Sequence, residues 1–194
     1  MTMAIDYLLR DEVAHAAPAP ADLVAFWREV GDTRWFGADA AFDHAFGTRF
    51  LVAHLRAATG GLEAWGDSAD GALALVLLLD QLPRNVFRGS AHAFATDPLA
   101  RVHADRAIAR GFDAAFEPAL RGFFYLPFEH SEAMADQDRA VALFDALGHD
   151  VYRHYAHAHR DVIARFGRFP HRNAALGRAS TPEEQAWLDA GGGF

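Results

Sequence analysis

The sequence predicts an all-α fold. Apolar residues recur at spacings of three and four along most of the chain, and capping residues, first-turn prolines and exit glycines separate these amphipathic segments. No segment shows the sustained alternation of apolar and polar residues that is typical of half-buried strands. The 194 residues suffice for one domain with a substantial core. We therefore predict a single domain of antiparallel helices over residues 21–194, preceded by an N-terminal extension at 1–20.

Two amphipathic helices are predicted first. The apolar stripe of the first helix lies at the i, i+3, i+4 and i+7 positions: Leu23, Phe26, Trp27 and Val30. Pro20 suits its first turn and Gly31 its exit. The second helix follows Asp39 and ends before Gly60. Its aromatic residues recur at every fourth position: Phe42, Phe46 and Phe50.

The central segment is the most apolar part of the chain. The run 71–82 is apolar on every face as far as Asp80, which predicts a helix that is buried all round. Asp70 is placed to cap it, and Pro83 disfavours helical geometry at the residue before it. A buried strand is the alternative for so short a run. The run is far too short to span a bilayer.

The second half of the chain carries further helix signals. Three helices are predicted from residues that favour helix starts and ends. The first begins at Asp97 and Pro98 and ends at Gly111, the second runs from Pro118 to Pro127, and the third from Asp136 to Gly148. The last long helix ends at Gly167, and its stripe is Tyr152, Tyr155, His159, Ile163 and Phe166. Thr181 and Glu184 form a capping box for a short final helix.

Composition disfavours several classes of function. The formal net charge of -8 at pH 7 argues against nucleic acid or an anionic membrane as a partner. The absence of cysteine excludes disulfides, thiolate metal sites and a cysteine nucleophile. We find no phosphate-binding glycine loop, dinucleotide fingerprint or HExxH motif, and we predict no cofactor. The first residues lack the basic and apolar regions of a secretory signal, so we expect a cytoplasmic protein.

The stretch DQLPRNVFRG places an acid where an apolar helix ends. Asp80 lies near the partial negative charge of that helix end, and an unpaired buried carboxylate there would be too costly to keep charged. We expect at least one guanidinium within salt-bridge distance. The candidates are Arg84, Arg88, Arg168 and Arg172. Such a pair either fastens a loop or forms part of a ligand site.

The segment FGRFPHRNAALGR contains no acid although the chain is acidic overall. Its basic residues are Arg168, His171, Arg172 and Arg178. Arginine is suited to holding a carboxylate or a phosphate through two parallel hydrogen bonds. The alternative is that these arginines only pair with acids elsewhere, for which Asp80, Glu129 and Glu132 are the candidates.

The segment PFEHSE places a histidine between carboxylates. His130, flanked by Glu129 and Glu132, has the composition of a general base or of a metal ligand. Ser131 beside it is a candidate nucleophile or simply a helix cap.

A third set of polar residues, in HYAHAHRD, has metal-ligand spacing. His154, His157 and Asp161 share one helix face, but that face points away from the apolar stripe. We therefore expect these three side chains to face solvent without binding a metal. His159 falls on the stripe and should be buried.

Three long segments resemble one bacterial family. They are LLLDQLPRNVFRG at 77–89 with AFATD at 93–97, FFYLPFEHSE at 123–132 with DQ at 136–137, and HRDVIARFGRFPHRNAALGR at 159–178 with STPEE at 180–184. With them the chain resembles, from about residue 21 onward, the family catalogued as domain of unknown function 924. The resemblance implies an all-helical fold similar to tetratricopeptide-like arrays, and it implies no established activity.

Together these segments predict a shared polar cleft. Its expected lining is Arg84, Arg88, Glu129, His130, Arg168, His171 and Arg172. The cleft would bind a small anionic molecule, with Asp80 and the arginines as ligand-binding residues. His130, His171 and Glu129 are the candidates for hydrolase-type acid–base chemistry. The alternative is a tetratricopeptide-like groove that binds an acidic peptide without catalysis.

Overall fold

The computed structural model describes residues 18–37 and 39–194, and all regular structure in that part is helical. The helices are α1 Pro20–Val30, α2 Asp32–Trp35, α3 Ala40–Ala58, α4 Ala69–Val76, α5 Leu82–Val86, α6 Asp97–Ala109, α7 Pro118–Arg121, α8 Leu126–Glu129, α9 Met134–Leu147, α10 Asp150–Phe166 and α11 Pro182–Asp189. Short 3-10 turns lie between several of them. The predicted all-α class is confirmed, and most of the N-terminal extension lies outside the described residues.

Capping chemistry sets most of the helix starts. Asp39 accepts hydrogen bonds from the backbone of the first turn of α3, and Thr181 forms the predicted capping box with Glu184. The cap of α4 is Ser68, so the prediction that Asp70 caps this helix is wrong. Pro127 lies in the first turn of α8, where its missing N–H costs nothing, and it does not stop a helix as predicted.

The central segment is a helix, and the strand alternative for it is wrong. α4 and α5 are joined through a π-helical turn, Leu77–Gln81, in which the Leu82 N–H donates to the Leu77 carbonyl five residues back. The helix therefore does not end before Pro83 as predicted, but continues through it. Because proline has no N–H, the usual bond to the carbonyl four residues earlier is missing. The wider turn accommodates the chain at this point.

Side chains from other helices satisfy the carbonyls of this turn. Nδ1 of His54 lies 2.8 Å from the Leu78 carbonyl oxygen, and the Thr96 hydroxyl donates to the Leu79 carbonyl at 2.5 Å. Both side chains are buried. A buried carbonyl without a partner would carry a desolvation penalty, so these two contacts stabilise the π-helical turn.

The core surrounds this central segment. Residues 71–83 are all buried, and they contact α1, α3 and α6. An aromatic group from α1, α3 and the turn after α7 packs on one side of the core. Its members include Trp27, Phe42, Phe46, Phe50 and Phe123. None of the helices within the described ranges is long and apolar enough to cross a membrane.

The buried face of α10 is shifted from the stripe that its sequence predicts, because it includes Val162 while Phe166 is only half-buried. Tyr152, His159 and Ile163 are buried as predicted, whereas Tyr155 is 48% exposed. Ala156, which lies between Tyr152 and His159 along the helix, is fully buried. The smaller side chain allows α10 to approach its neighbours α8 and α9 closely, and Tyr155 is left at the edge of the contact.

Thr96→Val should lower the free energy of unfolding by about 1–3 kcal/mol, because it leaves the Leu79 carbonyl buried without its donor. Thr59→Val is the matched control, since the Thr59 hydroxyl donates to helix carbonyls at an exposed position. We expect that control to change stability by less than about 0.5 kcal/mol in denaturant titrations. Equal effects of the two substitutions would contradict this role for Thr96.

Candidate functional site

The π-helical turn places Asp80 at the centre of a polar cluster. We call this group the Asp80 cluster; its members are Asp80, Arg84, Asp97, Glu129, His130, His159, His171 and Arg172. The three motif segments predicted to converge all contribute to it. Asp80 lies in the π-helical turn, and the 3-10 turn Pro170–Arg172 supplies the last two members. The others lie on α5, α6, α8 and α10 or at their ends.

Asp80 is 0% exposed and is surrounded by donors. Its Oδ1 lies 3.1 Å from the Arg84 guanidinium and 2.8 Å from Nδ1 of His130, while Gln81 donates to Oδ2 at 2.5 Å. Burial alone would raise the pKa of Asp80, but the charge of Arg84 and the hydrogen bonds from His130 and Gln81 lower it to about 2. Asp80 is therefore ionised, and the expected guanidinium partner is present.

Two arginines share a second buried acid. Arg84 donates to both oxygens of Asp97 at 3.0 Å, in the bidentate geometry that favours carboxylates. Arg172 reaches the same carboxylate through one longer contact of 3.4 Å. The Arg172 guanidinium also lies 4.6 Å from the ring centres of both Phe94 and Phe169. Burial and the neighbouring Arg84 lower the pKa of Arg172 to about 10, so it is still charged at neutral pH.

His130 is oriented by Asp80. Because the ionised carboxylate accepts a hydrogen bond, Nδ1 of His130 carries the proton and Nε2 keeps its lone pair. Burial, opposed by Asp80, lowers the pKa of His130 below its usual 6.5. A neutral, oriented imidazole with a free Nε2 is the arrangement that a general base requires.

Glu129 and His159 form a neutral contact. Nδ1 of His159 lies 3.3 Å from Oε1 of Glu129, but it also lies 2.8 Å from the Tyr155 carbonyl, which accepts its proton. Burial lowers the pKa of His159 to about 2, whereas burial and the nearby Asp80 raise the pKa of Glu129 well above its usual value. Both shifts favour the uncharged forms, so burial works against an ion pair between these two groups.

Several buried polar atoms of this region have no hydrogen-bond partner among the described residues. They are Glu129 Oε2, Gln137 Oε1, His171 Nδ1 and Arg172 Nε. Burial and the charge of Arg172 lower the pKa of His171 to about 4, so its imidazole is neutral as well. Orphaned polar atoms are costly singly, and several in one region indicate a place where a polar molecule can bind.

Two arginines predicted to line the cleft are engaged elsewhere. Arg88 is exposed and forms its ion pair with Asp43 of α3 at 3.0 Å. Arg168 pairs with Glu184 of α11 at 2.6 Å. Neither forms a hydrogen bond with a member of the Asp80 cluster, so the structure does not join these two predicted residues to it. Carboxylates that are distant in sequence but close in space, Asp43 and Glu184, hold these two guanidinium groups.

Sequence reasoning missed two residues of this region. Asp97 was interpreted as a helix start, yet it holds both Arg84 and Arg172. Gln137 is fully buried and donates to the Glu129 and Ser131 carbonyls at 2.5 and 2.6 Å, which holds the PFEHSE segment in place. A usable signal existed, because both lie in short strings, AFATD and DQ, that carry the family resemblance.

Other predicted polar residues play structural roles or face solvent. Ser131 donates to Asp136 at 2.6 Å and accepts from the Ala133 N–H, but the N-cap of α9 is Ala133, so the prediction of Ser131 as the helix cap is wrong. His154, His157 and Asp161 are exposed and His159 is buried, as predicted. Within the described ranges no three histidine, aspartate or glutamate side chains are grouped to hold a metal ion.

The fold and the cluster define an all-helical protein with a buried acid, histidine and arginine network. The chain belongs to the family described as bacterial protein of unknown function (DUF924), whose model matches residues 23–192. It is also similar to the solved structure of a protein of unknown function from Agrobacterium tumefaciens. The two share 54% identity with a TM-score of 0.86, over 88% of this chain and 97% of that one. No curated protein matches the chain.

Glu129→Gln should raise the free energy of unfolding at pH 7. Burial raises the pKa of Glu129 in the folded state above its unfolded value of about 4.5, so the wild-type protein loses stability as pH rises above that value. The advantage of the variant should grow by up to about 1.4 kcal/mol per pH unit above that point and vanish below about pH 4.

Denaturant titrations at pH 4 and pH 7 test this, with the exposed Glu29→Gln as control. A variant that is less stable than the wild type at pH 7 would show that Glu129 is ionised and paired with His159.

Proposed function

We propose that the Asp80 cluster binds a small anionic molecule. The supporting observation is the unused donor side of Arg172, a residue only 6% exposed. The single hydrogen bond of its guanidinium within the described chain is the 3.4 Å contact with Asp97, and its Nε is buried without a partner there. A carboxylate or phosphate that accepted bonds from Nε and the neighbouring terminal nitrogen would complete the bidentate geometry that arginine favours.

The uneven sharing of acids between the two arginines supports binding of a ligand at Arg172. Asp80 and Asp97 lie beside Arg84 and Arg172, while burial favours the uncharged forms of Glu129 and the three histidines. The acids therefore satisfy Arg84 but leave Arg172 with one weak contact. Arg84, His130 and His171 keep partial exposure, so the cluster reaches the protein surface at these side chains.

The same groups supply the parts of a hydrolytic reaction. His130 would take a proton from water at Nε2 while the water oxygen attacks the electrophilic carbon or phosphorus of the bound molecule. The neutral carboxyl of Glu129 would donate a proton to the leaving group, and the imidazolium would return its proton to Glu129 afterwards. Arg172 would stabilise the negative charge that develops on the attacked group.

The alternative, a groove that binds an acidic peptide, has less support. Recognition of a peptide would require exposed cations along an open surface. Arg172 is buried, and the exposed Arg88 is already paired with Asp43. These contacts favour a small ligand that enters between the side chains of the cluster.

Phosphate, sulfate or acetate should raise the melting temperature of the wild-type protein, and Arg172→Met should abolish that rise. At ten times Kd the stabilisation is about 1.4 kcal/mol, or roughly 3–6 °C for a chain of this size. Methionine keeps an unbranched apolar side chain beside Phe94 and Phe169, the rings over which the guanidinium lies. Arg88→Met removes a charge outside the cluster and should leave the rise unchanged.

Two results together would contradict anion binding. The first is that none of the three anions changes the melting temperature of the wild-type protein. The second is that Arg172→Met causes a severe loss of stability. They would indicate that the cluster only fastens the helices together.

If the bound molecule is hydrolysed, kcat/KM should rise with pH and reach its plateau below pH 6.5, because burial lowers the pKa of the His130 base from that value. Hydrolysis of nitrophenyl phosphate, followed from pH 4 to pH 8, measures this rise in kcat/KM. His130→Gln should lower kcat by a factor of about 100 or more. Activity retained in His130→Gln would exclude the assigned base.

A further inference from the structure

An aromatic side chain lies on the face of His159. The Phe194 ring is stacked on the imidazole with centroids 3.6 Å apart and an interplanar angle of 15°. The phenyl ring is 51% exposed, whereas His159 beneath it is 6% exposed. A buried, neutral imidazole therefore presents one flat face at the surface, and Phe194 covers it.

Two further rings enclose this position. The Phe169 ring stands nearly perpendicular to His159 and to Phe194, with centroid distances of 5.5 and 6.3 Å. The His171 ring stands edge-on to Phe194 at 5.8 Å. These rings form a slot for one planar group. We call it the His159 slot, with His159 as its floor and Phe169 and His171 as its walls.

The His159 slot adjoins the unused donors of Arg172. The guanidinium lies 4.6 Å from the centre of Phe169, which is a wall of the slot, and His171 is its neighbour in the chain. A molecule with a planar ring in the slot would therefore have a cation within reach for a negatively charged substituent. Cations and aromatic faces are commonly combined in this way in binding sites.

Phe194 is held only weakly in the slot. In the described chain the last backbone hydrogen bond before it joins the Gly192 N–H to the Trp187 carbonyl at 3.0 Å. Gly191 and Gly193 have φ angles of 84° and 146°, in a region that glycine adopts readily. Beyond Gly192 the segment is therefore retained chiefly by ring stacking, so another ring could replace Phe194 at small cost.

We propose that the His159 slot is the ring-binding subsite for the anionic ligand, and that Phe194 occupies it until an aromatic anion displaces it. The ligand class is a planar aromatic ring that carries a carboxylate or phosphate group one or two bonds away. This inference rests on the proposed anion site at Arg172, and it adds the chemical nature of the rest of the ligand.

Matched pairs of probes test the subsite by calorimetry: acetate against phenylacetate, and phosphate against phenyl phosphate. In the wild-type protein each aromatic probe should bind more tightly than its simple counterpart. Phe194→Ala should tighten binding of the aromatic probes roughly three- to tenfold, because the competing ring is gone. It should leave acetate and phosphate unchanged. Phe36→Ala, which removes a similarly exposed phenyl ring elsewhere, should change neither class.

Other outcomes separate the two proposals. Weaker binding of phenylacetate to Phe194→Ala would show that the phenyl ring helps to hold the ligand, and displacement would be wrong. Equal affinities within each pair, with binding lost in Arg172→Met, would overturn the subsite and retain the anion site. No binding of any probe to the wild-type protein or to Phe194→Ala would overturn both.

Discussion

The site depends on one buried charge. A carboxylate that is 0% exposed has to be surrounded by donors, because breaking one partner of a buried pair costs about 3–5 kcal/mol. Asp80 takes those donors from its own segment through Gln81 and Arg84, and from a distant segment through His130. Arg84 in turn fixes Asp97, which reaches Arg172. The need to satisfy Asp80 therefore joins three sequence segments, and the same contacts orient His130 as a potential base.

The backbone around Asp80 is as unusual as its charge. Asp80 lies within the π-helical turn Leu77–Gln81, directly before the segment that Pro83 deprives of a hydrogen bond. Turns of this kind are rare and occur often at functional sites. The turn is stabilised because His54 and Thr96 form hydrogen bonds with the Leu78 and Leu79 carbonyls. A regular helix would need neither residue, so the structure uses two buried polar side chains to keep this irregular turn inside its core.

The parts of this arrangement that sequence could predict follow from local rules. Helix boundaries followed from caps such as Asp39 and Thr181, and the need for a cation beside Asp80 followed from burial of its segment. The choice among four arginines did not follow, because it depends on contacts distant in sequence: Asp43 holds Arg88 and Glu184 holds Arg168. The π-helical turn was also missed, since a proline after a helix ordinarily marks its end. Its stabilising partners lie 24 and 17 residues away from the carbonyls they contact.

The protonation states argue that the cluster is kept for more than stability. The lowered pKa values of His159 and His171 reduce stability as pH falls below 6.5, because the unfolded chain binds protons that the folded one excludes. The raised pKa of Glu129 reduces stability as pH rises above 4.5. At least one of these costs is present at every pH. Apolar side chains of similar size would avoid both, and replacing buried polar networks in this way is often stabilising. Under the proposed function, uncharged histidines and a protonated Glu129 beside Arg172 would instead serve proton transfer to and from a bound anion.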